Sequence, residues 1–258
     1  MRYLRIWWEL SKKSFMAVLS QRLGMSVFLL GKILRITFFL GFIFFLIGGT
    51  KNLAGYNLNQ TIFFFLTFNL VDTVSQFLFR EVYRFRPQVV SGSFDLILAK
   101  PISPLFRVLM GGADVIDLIT IPPLIFAVWY VGHILNPSIL HTAYYILLLF
   151  NGLIIAAAFH VAVLALGIIT LEIDHTVMIY RDLTNLGRFP VDIYKEPLRG
   201  ILTYLIPVGV MITFPAKALM GVISPSGVLF SFVLGAIAIF FSLKFWNYAL
   251  TKYTSASS

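Results

Sequence analysis

Long apolar segments separated by short polar ones dominate the hydrophobic pattern of this chain. A helix needs about 20 apolar residues to cross the ~30 Å hydrocarbon core of a bilayer. The stretch Leu118–Leu171 contains no Asp, Glu, Lys or Arg. It is too long for one helix, and Gly132–Ser138 provides a turn between two. The pattern predicts an all-α integral membrane protein with six transmembrane helices. The predicted spans are 24–48, 59–79, 113–132, 140–170, 200–214 and 227–248.

The fifth apolar segment is interrupted by Pro207 and Pro215. Proline removes a hydrogen bond from a helix interior but suits the first position of a new helix. We therefore expect the fifth span to end early, with a short helix at 215–222 in the outer leaflet. The polar stretch Glu172–Arg199 before it is expected to be a cytoplasmic loop.

The first 22 residues are amphipathic rather than continuously apolar. Trp7 and Trp8 lie among Arg5, Lys12 and Lys13, and this mixture favours the headgroup layer of a membrane. The sequence predicts an interfacial helix at 1–22, a six-span domain at 23–250 and a cytoplasmic tail at 251–258.

Two cations, Lys32 and Arg35, lie near the start of the first span. Long basic side chains can extend along the helix to reach the headgroups. We expect both of them to reach the inner headgroup layer in this way.

The composition supports a membrane protein. Hydrophobic residue types make up 59% of the 258 residues and charged types 12%, and the mean hydropathy is +0.90. A soluble domain carries about 25% charged residues. This argues against a soluble enzyme, a disordered chain and a nucleic-acid-binding domain. The absence of cysteine excludes disulfides, thiolate metal ligands and a thiol nucleophile.

The formal net charge of +9 is explained by where the cations fall. With both termini in the cytoplasm, only Lys51 and Lys217 would lie outside, as the positive-inside rule requires. The remaining cations would face the cytoplasm and anionic lipid, with no need for a nucleic-acid partner. They are Arg2, Arg5, Lys12, Lys13, Arg22, Lys32, Arg35, Arg80, Arg84, Arg86, Lys100, Arg107, Arg181, Arg188, Lys195, Arg199, Lys244 and Lys252.

Motifs of ATP hydrolysis and hydrolase chemistry are missing. The Gly-Lys pair Gly31-Lys32 is followed by Ile33, and Ser26 stands where the first glycine of a phosphate-binding loop belongs. The sequence contains neither H-E-x-x-H nor G-x-S-x-G. Glu172, Asp174 and His175 are interpreted as a solvated loop, so no metal site and no catalytic residue are predicted.

Polar residues of the second predicted span recur at helical spacing. Such a stripe should face protein or water, because polar groups are costly against lipid. Two interpretations stay open: hydrogen bonding between helices, and the wall of a substrate path in which Asp72 is the first residue to test. The stripe consists of Asn69, Asp72, Thr73 and Gln76, followed by Arg80.

Two carboxylates, Asp114 and Asp117, open the third span. They either match the dipole of a helix start or pair with basic residues of the N-terminal segment.

A short helix is predicted between the second and third spans. Ser93 can cap its start, and Pro101 ends it. Phe94, Ile97 and Leu98 would be exposed on it. An exposed apolar helix on a stiff loop is typical of a docking element, and the alternative is a helix that rests on the membrane.

This segment resembles the cytoplasmic loop of ABC-2-type transporter permeases, in particular the uncharacterised ABC-2 permease subfamily. The resemblance rests on two runs in the same order. The runs are Gly92-Ser93-Phe94-Asp95-Leu96-Ile97-Leu98-Ala99-Lys100-Pro101 and Ile206-Pro207-Val208 with Phe214-Pro215-Ala216.

The resemblance implies an ABC-2 exporter-type fold and a permease subunit of an ABC exporter in the cell membrane. A separate ATPase carrying the ATP and Mg²⁺ would dock on Gly92, Phe94, Asp95, Leu98, Lys100 and Pro101. A second permease chain, identical or paralogous, would complete the transporter. The alternative is a secondary transporter with Asp72 as the coupling carboxylate. The substrate is not indicated by the sequence.

Overall fold

The computed structural model describes residues 2–170 and 173–254. Glu172 of the predicted loop cluster and residues 255–258 of the predicted tail lie outside the described residues. Within them the chain is helical, with no strand and one isolated bridge between Leu53 and Tyr56. The expectation of an all-α fold is therefore confirmed.

Twelve α-helices occur in the described residues. In chain order they are α1 (Arg2–Ser20), α2 (Arg22–Thr50), α3 (Leu58–Phe79), α4 (Phe85–Val90), α5 (Ser93–Leu98), α6 (Pro104–Leu109), α7 (Val115–Ile134), α8 (Ile139–Thr170), α9 (Ile173–Asn185), α10 (Leu198–Gly200), α11 (Phe214–Leu219) and α12 (Pro225–Thr251). Tighter 3₁₀ turns cover Arg80–Arg84, Leu186–Arg188 and Val191–Ile193, and wider π-turns cover Ile201–Leu205 and Gly209–Thr213.

Five of the described helical segments are long and apolar enough to cross a membrane. They are Arg22–Thr50, Leu58–Val90, Val115–Ile134, Ile139–Thr170 and Pro225–Thr251. A sixth candidate is the pair Leu198–Leu205 and Gly209–Leu219, which is bent by 75°. The expectation of a multi-span membrane protein is confirmed at the level of five or six candidate spans.

Local signals set the helix starts. The Asn57 side chain accepts from the Gln60 backbone N–H at 3.0 Å, and the Gln60 side chain accepts from the Asn57 N–H at 2.9 Å. This reciprocal pair satisfies two N–H groups at the start of α3. At α12, Ser224 caps the helix and Pro225 occupies its first turn.

The packed part of the bundle lies between α8, α12 and the bent segment 201–219. Small residues allow close approach there: a Cβ on Gly152 would meet the backbone oxygen of Met211, and one on Gly235 would meet the Asn151 side chain. Asn151 also donates to the Ser231 backbone oxygen at 2.7 Å. Small residues and buried polar groups are the usual contacts between membrane helices.

Both described ends of the chain meet at one end of the bundle. The Arg2 guanidinium donates to the Pro101 backbone oxygen at 2.9 Å, and the Tyr253 hydroxyl donates to the Asp95 carboxylate at 2.8 Å. We call this end, defined by Arg2, Asp95, Pro101 and Tyr253, the terminal face.

The opposite end is defined by a charge cluster around Asp192. Its carboxylate pairs with Lys217 at 2.6 Å and with Arg199 at 3.0 Å, and it accepts a hydrogen bond from Tyr56 at 3.0 Å. Tyr56 lies in the loop between α2 and α3. We call this end, defined by Tyr56, Asp192 and Lys217, the distal face.

The polar residues 173–193 lie differently from the prediction. Asp174 pairs with Arg86 at 3.3 Å close to the terminal face, whereas Asp192 lies at the distal face. Residues 173–193 therefore run the length of the bundle. They were expected to be a cytoplasmic loop because of their polarity, yet they pack against the other helices through Ile173, Val177 and Tyr180.

The segment 198–219 enters and leaves at the distal face, since Arg199 and Lys217 both pair with Asp192. Between them, Pro207 lines an apolar cavity together with Ile155, near the middle of α8. The segment therefore turns back on itself inside the bundle, whereas a straight span was predicted at 200–214. Its prolines allow the bend, because they interrupt helical hydrogen bonding.

The placement of the cations changes accordingly. Lys195 and Arg199 lie with Lys217 towards the distal face, and the expectation that they face the same side as Arg86 is wrong. The two described ends still meet at one face, because residues 173–193 run from the terminal face to the distal face.

Candidate functional site

A charged cleft opens between α2, α3, α7 and α9. Its volume is about 490 Å³. Val27 and Phe28 of α2 form part of its rim and are 61% and 72% exposed. The polar lining consists of Lys32, Arg35, Gln76, Arg80, Asp114, Asp117 and Arg181.

Two ion pairs close one side of the cleft. Lys32 pairs with Asp117 and donates to the Thr120 hydroxyl at 3.0 Å. Arg80 pairs with Asp114 at 3.2 Å. The side chains of Lys32 and Asp117 are 12% and 7% exposed, so the pair is shielded and gains strength from the low local dielectric. It fastens α2 to α7.

Lys32 does not extend freely along its own helix, because it pairs with a carboxylate of α7. Of the two interpretations of the α7 carboxylates, the match to the helix start applies, whereas their basic partners, Lys32 and Arg80, do not belong to the N-terminal segment 1–22. Asp114 caps the helix by accepting from the Ile116 N–H at 2.8 Å and also pairs with Arg80. Asp117 lies in the first turn and partners Lys32.

The predicted polar stripe of α3 divides between two environments. Gln76 lines the cleft and donates to the half-buried Asp72 carboxylate at 2.8 Å. Asn69 is buried, donates to the Phe65 backbone oxygen at 2.7 Å and lines a small neighbouring cavity. Thr73 is fully buried. Gln76 and Arg80 of the stripe therefore line the charged cleft, Asn69 shares the small cavity with Arg35 and Arg188, and Thr73 lies in the packed interior.

Three arginines that the sequence analysis did not assign to a site converge beside this stripe. Arg188 stacks over Phe39 and Phe68, with its guanidinium carbon 5.5 and 5.7 Å from the ring centres. Arg35 and Arg181 are close enough to repel the charge on Arg188, while Asp72 attracts it. Arg35 could have been predicted as a site residue, because a charged residue inside an apolar span is usually functional. No local signal joins Arg181 and Arg188 to it, because they come from the stretch expected to be a loop.

The second candidate site is the segment 93–101 at the terminal face. The short helix α5 begins after Gly92, whose φ of 72° lies in the left-handed region. Ser93 was expected to cap the helix. Instead it is the first helical residue, and its hydroxyl contacts the Ser91 hydroxyl at 2.9 Å.

The expectation that Phe94 and Ile97 are exposed is wrong. Phe94 is fully buried and Ile97 is 7% exposed. The Phe94 ring packs edge-on against Phe85, Trp246 and Tyr253. The ends of α4 and α12 cover this face of α5. Their position cannot be predicted from the sequence of α5 itself.

A different face of the segment is exposed. Leu96 is 66% exposed and Leu98 is 36% exposed, and Ala99, Lys100 and Pro101 are also exposed. Ala99 and Lys100 lie three and four residues after Leu96, so both lie on the same side of the helical turn as Leu96. We call Leu96, Ala99 and Lys100 the exposed α5 face.

The segment is fastened to both described ends of the chain. Burial, followed by the hydrogen bond to Asp95, raises the pKa of Tyr253 to about 12. Its phenol therefore stays protonated at neutral pH and donates to the Asp95 carboxylate. Asp95 thus joins α5 to the end of α12, and Pro101 joins the segment to α1.

Comparison with known proteins assigns the family. The family model of the ABC-2 family transporter proteins matches residues 32–257, which is most of the chain and includes the segment 93–101 and the polar lining of the charged cleft. No curated protein and no solved structure matches this chain. The family is one of membrane transport subunits, in agreement with the apolar helices of this fold. The protein therefore belongs to the ABC-2 transporter family and is an ABC-2-type permease that spans a membrane several times.

Proposed function

We propose that this permease is the membrane subunit of an ABC exporter, with the terminal face in the cytoplasm and a separate ATPase subunit docked on the exposed α5 face. ATP and Mg²⁺ would be held by that ATPase, since the chain has no phosphate-binding loop of the Walker A type. A second permease chain would complete the transporter in the cell membrane.

The observation that carries the proposal is the attachment of the segment 93–101 to the membrane helices. Phe94 is fully buried against Trp246 of α12, and the segment also bonds to α1 through Arg2 and to Tyr253 beyond α12. Close-packed interiors transmit displacement with little compression. A force on this segment would therefore move α12 and α1 together.

The exposed α5 face suits a protein partner better than solvent. Leu96 is 66% exposed beside the exposed Lys100, so an apolar anchor and a cation lie next to each other. An apolar anchor surrounded by polar groups is typical of docking surfaces. The occupant we propose is the ATPase of the same transporter, because the family is driven by ATP and this chain lacks the motif that would hydrolyse it.

Charge supports the orientation. Only Lys51, Lys195, Arg199 and Lys217 are assigned to the distal end, and the cations outside the charged cleft otherwise gather at the terminal end. Short cytoplasmic loops are enriched in Lys and Arg. In intact cells, an impermeant thiol reagent should label Lys195→Cys and Asn136→Cys but spare Arg86→Cys. Labelling of Arg86→Cys alone would reverse the orientation.

The docking proposal is tested by co-purification of the ATPase. Burial of a leucine side chain contributes about 1.5–3 kcal/mol, so Leu96→Ala should weaken ATPase binding by roughly tenfold to a hundredfold. Met16→Ala on α1 is the matched control, because Met16 is 63% exposed but lies away from α5. Leu96→Ala and Met16→Ala should unfold at the same temperature as the unmodified permease.

The outcome against docking is equal retention of the ATPase by Leu96→Ala and the unmodified permease. The test avoids Phe94, because this residue is part of the core and its truncation would damage the fold as well as any interface. ATP-independent, ion-driven transport by the permease alone would instead support the secondary transporter with Asp72 as coupling carboxylate.

A further inference from the structure

The charged cleft carries more positive than negative charge. Lys32 and Arg80 are each paired with a carboxylate of α7. Arg35 and Arg181 line the same cleft, and in the part of the chain that the structure describes no carboxylate lies within 4.0 Å of either guanidinium. Adding Arg188 and Asp72, which lie next to the cleft, leaves the surplus unchanged.

This surplus lies on the open side of the bundle, where Arg35 and Arg181 are both exposed. Arg35 is close to the middle of the 29-residue helix α2, about 20 Å from either helix end at 1.5 Å per residue. The hydrocarbon core is about 30 Å thick. Uncompensated cations at such a depth are costly and mark functional positions. An anionic group in the cleft would remove the cost.

The arginines are suited to phosphate or carboxylate. A guanidinium donates through two parallel N–H groups to either anion, which gives direction as well as strength. The nearby aromatic rings of Phe39 and Phe68 hold Arg188 from one side, which restricts the directions in which its guanidinium can move.

The rim of the cleft indicates what kind of molecule carries the anion. Val27 and Phe28 are exposed apolar residues on α2 beside the cleft, and Ile116 of α7 also lines it. A cationic interior behind an apolar, laterally exposed rim matches a molecule with a charged head and a hydrocarbon tail. A small soluble anion would gain nothing from the rim.

We propose that the cleft binds the phosphate head of an anionic membrane amphiphile, which enters sideways past Val27 and Phe28, with Arg35, Arg181 and Arg188 holding the head. The proposal deepens the proposed function by naming a substrate class and rests on it for the step of transport. Binding of the amphiphile itself does not require the ATPase.

The experiment measures lipid binding to the purified permease in detergent by native mass spectrometry and by thermal stabilisation. The probes are phosphatidic acid, phosphatidylcholine and inorganic phosphate. Phosphatidic acid should bind at least tenfold more tightly than the zwitterionic phosphatidylcholine. Inorganic phosphate at the same concentration should give no stabilisation, since it lacks the tail.

Variants locate the site. Arg35→Gln combined with Arg181→Gln should weaken phosphatidic acid binding at least tenfold, while the lipid-free protein remains as stable as the unmodified one because like charges are removed. Arg5→Gln combined with Lys195→Gln removes two cations outside the cleft and should leave binding unchanged. Arg35→Lys keeps the charge without the paired donors and should give an intermediate affinity.

Several results would overturn the proposal. Equal binding by the Arg35→Gln, Arg181→Gln variant would place the lipid elsewhere, and equal binding of phosphatidylcholine would remove the need for an anion. Binding of inorganic phosphate as tightly as the lipid would make the cleft a simple anion site. Failure of ATPase co-purification with intact lipid binding would count against the proposed function alone, and the reverse result against this inference alone.

Discussion

The two sides of the bundle are built on different principles. In α8, 14 of the 32 residues are buried, and glycines allow its neighbours to approach within van der Waals contact. In α2, only Ile43 and Ile47 of 29 residues are buried, and the helix is fastened to α7 through the pair of Lys32 and Asp117. The packed side depends on shape, and the open side depends on charge.

This difference indicates which interfaces can move during a conformational change. A packed interface resists displacement because small shifts create clashes or voids. An interface made of a few ion pairs around a cleft can open when those pairs exchange partners. We therefore expect the packed side to serve as the frame and α2 with the charged cleft to serve as the movable wall.

The largest expected effect is loss of the ion pair that fastens the open side. Lys32→Met leaves the Asp117 carboxylate shielded and without its partner, which typically costs about 3–5 kcal/mol. The free energy of unfolding in detergent should fall by that amount. The double variant Lys32→Met, Asp117→Leu should recover most of the loss, and a double variant as unstable as the single one would show that the pair does not fasten α2.

A smaller effect is expected on the packed side. A Cβ on Gly152 would clash with the Met211 backbone oxygen, so Gly152→Ala should destabilise by about 1–3 kcal/mol through overpacking. A Cβ on Gly41 of α2 would meet no heavy atom within 4 Å, and Gly41→Ala is the matched control with no expected loss. Thermal unfolding of both variants measures the contrast, and equal losses would refute it.

The smallest effect on stability is expected at Asp72. An asparagine can still accept the hydrogen bond from Gln76, so Asp72→Asn should change the free energy of unfolding by less than about 1 kcal/mol. It removes a negative charge near Arg188 and should raise the affinity for phosphatidic acid several-fold. Lipid titration and thermal unfolding are measured together. A large loss of stability with unchanged lipid affinity would identify Asp72 as a packing residue.

Much of the fold could be predicted from local pattern. Helix α3 begins at Leu58, one residue before the predicted start, and α12 begins at Pro225, two residues before it. These boundaries follow from apolar length and capping residues, which act over a few positions of sequence. The short helix between Gly92 and Pro101 was also predicted from its own residues. Its capping residue is Gly92, in the left-handed region, and the predicted cap Ser93 is the first helical residue.

The candidate sites were less accessible to the same reasoning. Helical spacing placed Thr73 in the same polar stripe as Asp72 and Gln76, yet Thr73 is buried. Spacing gives the direction of each side chain around the helix, but the neighbouring helices decide which directions are covered. Arg181 and Arg188 were missed because polarity made their segment resemble a loop. In this fold the polar segment packs along the bundle, and its Arg181 lines the charged cleft.

The sequence by itself determined the all-α class, the membrane environment and the family, since these depend on composition, apolar length and short motifs. The tertiary structure decided that Lys32 meets Asp117, that Phe94 is buried and that residues 173–193 run the length of the bundle. Each of these depends on contacts between residues far apart in the chain. Hydrophobic periodicity states which positions avoid water, but the packing of other helices decides which of them find a partner.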